Sequence, residues 1–124
     1  MSYIVVHRKR KNRVKLHPFI KFYPKHGYFT FSYKAAEILK VNSGDGVMFG
    51  FNFKEKRAYV FKDNSKDAFT LNKVSGRNLL KFGSIDLRDY FLQCFNFDHS
   101  DDIYRFNLII SSTNKKKYEL QYQP

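Results

Sequence analysis

The residue types that could do chemistry in this chain are mostly cations. Arg8, Lys9, Arg10, Lys11, Arg13 and Lys15 fall within eight positions, and Lys21, Lys25 and Lys34 follow. The first 34 residues carry these nine cations and no acid, whereas the other 90 carry 14 cations and 11 acids. A basic end joined to a near-balanced body points to a polyanionic partner, since the summed field attracts negative charge. Guanidinium forks at Arg8, Arg10 and Arg13 suit phosphate oxygens, and the Lys side chains add point charges. By strand alternation Lys21 and Tyr23 share a face opposite Ile20 and Phe22, and Lys25 and Tyr28 lie across the next turn. Tyr beside Lys suits stacking on unpaired bases. Alternatively, Tyr23 and Tyr28 are cross-strand partners that stabilise the sheet.

Other chemistry has little support. Asp98-His-Ser-Asp-Asp102 groups acids with a histidine and could hold a hard divalent cation, but its residues are consecutive and read as a solvated turn. His7, His17, His26 and His99 are scattered, and Cys94 is alone, so no zinc-ligand spacing and no internal disulfide arise. Gly44-Asp-Gly46 follows a helix and lacks the Lys-Ser/Thr of a phosphate loop. The expectation is a non-enzymatic protein with no metal and no cofactor.

The elements that position these residues follow from periodicity. Phe19–Tyr23 and Tyr28–Ser32 flank Pro24-Lys-His-Gly27 and read as a hairpin. Ser32 can cap a short helix at about 33–40, with Ala35, Ile38 and Leu39 on one face. Val47, Phe49, Phe51 and Phe53 alternate along a strand, and Ala58–Lys62 returns beside it. Strands are also expected at Ala68–Val74, Asn78–Gly83, Ile103–Ser111 (Tyr104, Phe106, Leu108 and Ile110 inward) and Tyr118–Tyr122. Tyr3–Val6 could form a short edge strand. Ser84 opens a second helix at about 85–93, with Leu87, Tyr90 and Phe91 on one face. The fold class is therefore mainly β (α+β): one compact, β-barrel-like domain over residues 1–124, with 7–17 as a basic arm or exposed hairpin. Fourteen Phe residues can drive its collapse without disulfides.

Aligning Ser32 with Ser84 pairs Ala35 with Leu87 and Leu39 with Phe91. A β-α-β unit used twice would make a pseudo-twofold domain. Any Ser-capped amphipathic helix after a strand has the same look, so both readings stand.

Ser32, the Ala35–Leu39 helix, Leu39-Lys-Val41, Gly44-Asp45 and Val47 together resemble the AbrB-type swapped-hairpin DNA-binding domain, also found in MazE-like antitoxins. The resemblance covers about residues 28–52. It implies a structural role for the Gly-Asp turn and a regulatory duplex-DNA-binding role. DNA contacts would fall on basic residues before the helix, here Arg8–Lys25. Domains of that family are usually near half this length and interleave two chains, which leaves a homodimer open; one chain with two units would complete the fold alone.

The expected partner is thus nucleic acid, with DNA favoured; the alternatives are single-stranded DNA or RNA, and an acidic protein surface bound by a phage or host-directed module. The bias toward Asn, Lys, Ile, Phe and Tyr, with four Ala, is common in bacterial and phage products of AT-rich genomes. A lone cysteine, no apolar run approaching ~18 residues and too short an apolar start for a signal peptide lead to a cytoplasmic, non-membrane expectation.

Overall fold

The computed structural model describes residues 18–77, 79–97, 103–110 and 117–124. The basic segment Arg8–Lys15, the Tyr3–Val6 segment, the Asp98–Asp102 loop, and His7, His17 and His99 lie outside the described residues.

The described elements run β1 (Phe19–Tyr23), β2 (Tyr28–Phe31), α1 (Tyr33–Leu39), β3 (Gly46–Asn52), β4 (Arg57–Lys62), β5 (Phe69–Thr70), β6 (Asn72–Lys73), β7 (Leu80–Gly83), α2 (Ile85–Phe95), β8 (Tyr104–Ile110) and β9 (Tyr118–Gln123). All strands join one antiparallel sheet in the order β5-β3-β4-β9-β8-β1-β2-β7-β6. Its two end strands, β5 and β6, are neighbours in the chain, separated by Leu71 alone. The sheet therefore curls until its edges meet and forms a nearly closed barrel with two helices. Closure of this kind hides the unpaired backbone groups that an open edge would offer to another chain.

Inward positions repeat every second residue, as the sheet pleat requires. Ile20 and Phe22, Phe29 and Phe31, Leu80 and Phe82, and Phe106 and Leu108 are all buried. Phe91 of α2 fills the middle of this core. Its ring packs at 5.0 Å from Phe29, 5.2 Å from Phe51, 5.3 Å from Phe22 and 5.4 Å from Phe106. Tilted and edge-on rings at these spacings add electrostatic fit to the burial of apolar area.

Both helices begin alike. The Ser32 Oγ accepts from the Ala35 amide at 3.1 Å, and the Ser84 Oγ accepts from the Leu87 amide at 3.1 Å. Both end on a residue in the left-handed region, Lys40 (φ 58°) and Asn96 (φ 59°). The strand pairing is alike too. Exchange β1 with the broken strand β5/β6, β2 with β7, β3 with β8 and β4 with β9: every adjacent pair then falls on another adjacent pair. The topology is that of a pseudo-twofold barrel in a single chain, the arrangement an internal repeat would produce.

Several expectations are refined. Helix α2 runs to Phe95 rather than 93 and buries Leu92 and Cys94 as well as Leu87 and Phe91. Tyr90 is exposed, because it sits at the rim of that face and stacks on Phe51 at 5.6 Å. The 68–74 strand breaks at Leu71, and the following strand starts at Leu80. Ile110 is exposed, since the inward alternation of β8 ends at Leu108. Phe53 lies past the end of β3 and is exposed.

Candidate nucleic-acid interface

Three strands carry the same short pattern, an inward apolar residue, a cation and an inward Phe: Ile20-Lys21-Phe22, Leu80-Lys81-Phe82 and Tyr104-Arg105-Phe106. Alternation turns each cation outward. Strand register then aligns them. Gln123 pairs with Arg105, Arg105 with Lys21, Lys21 with Thr30, Thr30 with Lys81, and Lys81 with Asn72. The result is one row in register across β9, β8, β1, β2, β7 and β6, in which Lys81 is exposed, Lys21 and Arg105 are half-buried and Thr30 between the cations is buried. From Arg105 to Lys81 it spans three strand spacings, roughly 14 Å. No Asp or Glu occurs in β8, β1, β2, β7 or β6. On β9, Glu119 pairs with Ile109, four positions from Arg105, and lies 3.9 Å from Arg57.

Rings flank the row. Tyr23 pairs with Tyr28 across the hairpin, and the rings stack with centroids 4.4 Å apart. Lys81 Nζ lies 4.1 Å from the Tyr28 centroid. The Arg105 guanidinium lies 4.1 Å from the Phe19 centroid, and Lys21 Nζ lies 5.5 Å from it. Cations placed over ring faces are attracted by the ring quadrupole, which holds these long side chains against the sheet.

Of the sequence-predicted residues, Lys21, Tyr23 and Tyr28 are thus brought onto one face. Lys25 is exposed at the β1–β2 turn beside them. Tyr23 and Tyr28 do form the cross-strand pair. Arg8, Lys9, Arg10, Lys11, Arg13 and Lys15 lie outside the described residues. Sequence reasoning missed Lys81, Arg105 and Phe19. The repeated triplet was the available signal for both cations, and Phe19 shares the alternation phase of Lys21.

A concavity of about 350 Å³ lies between α1 and the β6–β7 loop, lined in part by Tyr33, Ala36, Glu37, Lys73, Arg77 and Leu80. Among the described residues, no three His, Cys, Asp or Glu side chains stand together in a way that could hold a metal ion, and no helix is long and apolar enough to cross a membrane.

Fold and surface together define a nearly closed β-barrel domain whose strands β8, β1, β2, β7 and β6 carry cations and rings and no acid. No family model, curated protein or solved structure matches the chain.

Proposed function

We propose that this is a non-enzymatic nucleic-acid-binding protein that docks the outer face of these acid-free strands on a phosphate backbone. The observation that carries the reading is the row Arg105–Lys21–Thr30–Lys81, three cations held in register with no acid on their strands. Fixed cations on a rigid sheet can meet successive phosphates and release their counterions. The basic segment Arg8–Lys15, which precedes β1 in the chain, would add six more cations to the footprint. The row and segment together offer charge and hydrogen-bond donors to a polyanion.

The reading is tested by titrating the full chain with duplex DNA, single-stranded DNA and RNA at low salt. Binding that weakens steeply with salt supports it. Absence of binding to all three at low salt overturns it and favours an acidic protein partner.

A further inference from the structure

Tyr23 and Lys81 reach Tyr28 from opposite flanks, because β2 lies between β1 and β7. The ring spacing of 4.4 Å is close to the strand repeat of about 4.8 Å. The rings therefore stand edge-up from the sheet and form a short ladder running across the strands. The ladder ends at Tyr23. Among the described residues, the ring of Tyr23 stacks on that of Tyr28. Tyr23 itself is half-buried, and Ile103, its register neighbour on the β8 side one step beyond the Phe22–Tyr104 pair, is 53% exposed. At the other end of the face, Arg105 lies on Phe19. A guanidinium plane is a platform on which an unpaired base can stack.

Resting on the nucleic-acid reading above, we infer that the ligand is single-stranded, DNA or RNA. It crosses the strands along the Arg105–Lys21–Lys81 row, with unpaired bases stacked on Tyr23 and on the Arg105 guanidinium. Two arguments favour a single strand over a duplex. Bases inside a duplex have both faces covered by their neighbours, so the rings would go unused. The row, at roughly 14 Å, is also wider than the major groove of about 12 Å, which admits a helix or a two-stranded ribbon. A convex barrel face would meet a duplex only along its phosphates. A flexible single strand can follow the row and turn its bases onto the rings.

The test compares a 15-nucleotide single-stranded DNA, the same sequence as RNA, and its blunt duplex, each against the full chain at about 50 mM salt. The inference expects at least one single strand to bind about tenfold or more tighter than the duplex, with quenching of tyrosine emission. Tyr23→Ala should weaken single-strand binding by roughly 5- to 150-fold, from the usual worth of one stacked base, without changing the salt slope. Tyr23→Phe should restore it. Arg105→Lys keeps the charge, removes the plane, and should also weaken the single strand at unchanged slope; it remains informative if Tyr23→Ala fails to fold. Duplex binding as tight as that of the tighter single strand, or full affinity in folded Tyr23→Ala, overturns the inference. In that case, loss of binding in Lys21→Gln and Lys81→Gln would leave the phosphate-binding reading standing. No binding to any of the three overturns both.

Discussion

The Leu71 amide donates to the Asp45 carbonyl at 2.8 Å, and the Leu71 carbonyl accepts from the Gly44 amide at 2.8 Å. Leu71 is the fully buried residue at which the chain passes from one end of the sheet, β5, to the other, β6. The turn after α1 therefore latches the seam of the barrel. It is itself tied by the Asn42 amide to Asp45 Oδ2 at 2.8 Å and by the Lys73 amide to Ser43 Oγ at 3.3 Å. The Asn42–Gly46 stretch, which looks like a loop in the sequence, supplies the backbone partners that β5 and β6 lack at their break.

Gly46 closes that turn and cannot carry a side chain. A Cβ there would stand 2.5 Å from the Asp63 carbonyl oxygen and 2.8 Å from the Ala68 Cβ. Its amide donates to Asn64 Oδ1 at 2.7 Å, which fixes the close approach. Gly46→Ala should therefore cost about 1–3 kcal/mol through overpacking. Gly50, four residues on in β3, meets nothing within 4 Å, so Gly50→Ala should be neutral or slightly stabilising. Urea midpoints of the two variants check the contrast; equal effects would refute the packing argument.

The two capping serines should differ in weight. Ser84 Oγ satisfies one amide, that of Leu87. Ser32 Oγ satisfies two, Ala35 and Phe19, at 3.1 and 3.0 Å, and the Ser32 amide donates back to the Phe19 carbonyl at 3.0 Å. Ser32 thus joins the start of α1 to the start of β1. Ser84→Ala should cost about 1 kcal/mol, the usual worth of a cap. Ser32→Ala should cost roughly 2 kcal/mol, because a second, half-buried amide is stranded. Thermal or urea unfolding of the pair reads this directly.

Much of this architecture is legible without coordinates, and the reasons are local. Alternating Phe residues mark the strands, and a Ser followed by an amphipathic run marks each helix. Lys21 and Tyr23 share a phase within a single strand, so their common face can be read by counting. Leu71 could not be read that way, because its partners Gly44 and Asp45 lie in another turn and act through backbone atoms. The row of Arg105, Lys21 and Lys81 was hidden for a related reason. Each cation sits in a legible triplet, but only register between β8, β1, β2 and β7 brings the three together, and register is a property of pairing. Tyr90 misled because helical phase predicts a face and not its width.

Lys40 ends α1 at φ 58°, a conformation that crowds any Cβ. Its amide donates to the Glu37 carbonyl at 3.2 Å, and the next amide, Val41, donates to Ala36 at 3.0 Å, so the backbone is held there by its own bonds. Lys40→Gly should relieve the strain and raise stability by about 1 kcal/mol. Asn96 occupies the matching position on α2 at φ 59°. Asparagine tolerates that region better, so Asn96→Gly should gain less. Unfolding midpoints of both variants test the ranking.

Cys94 is buried on α2, and its thiol points at the Arg57 carbonyl at 3.6 Å. Burial pushes the thiol pKa up, opposed in part by the charge of Lys56. The unfolded chain therefore ionises first as pH rises. Above the unfolded thiol pKa of about 8.5 the unfolded state binds fewer protons than the folded one, so stability falls as pH climbs toward the folded value. Below that window the contribution is fully present. Cys94→Ala should lose this part of the alkaline decline, measured as the difference between two stability–pH curves. Native Cys94 should also react slowly with thiol reagents and rapidly once the chain is unfolded.

The basic segment and the sheet face should separate in their salt dependence. For duplex DNA each neutralised phosphate contributes about −0.9 to the slope of log K against log salt, and for a single strand about −0.7. Replacing Lys21, Lys81 and Arg105 by Gln removes three fixed cations and should reduce the slope by about 2 for a single strand. Neutralising all six of Arg8, Lys9, Arg10, Lys11, Arg13 and Lys15 should reduce it by about 4. The two reductions should add if segment and face contact different phosphates of one strand. If the face variant leaves the slope unchanged while the segment variant removes all of it, the segment binds alone and the register of Arg105, Lys21 and Lys81 has no part in recognition. A larger combined loss than the sum would mean that binding by one positions the other, as linking two sites through the two residues between Lys15 and Pro18 would produce.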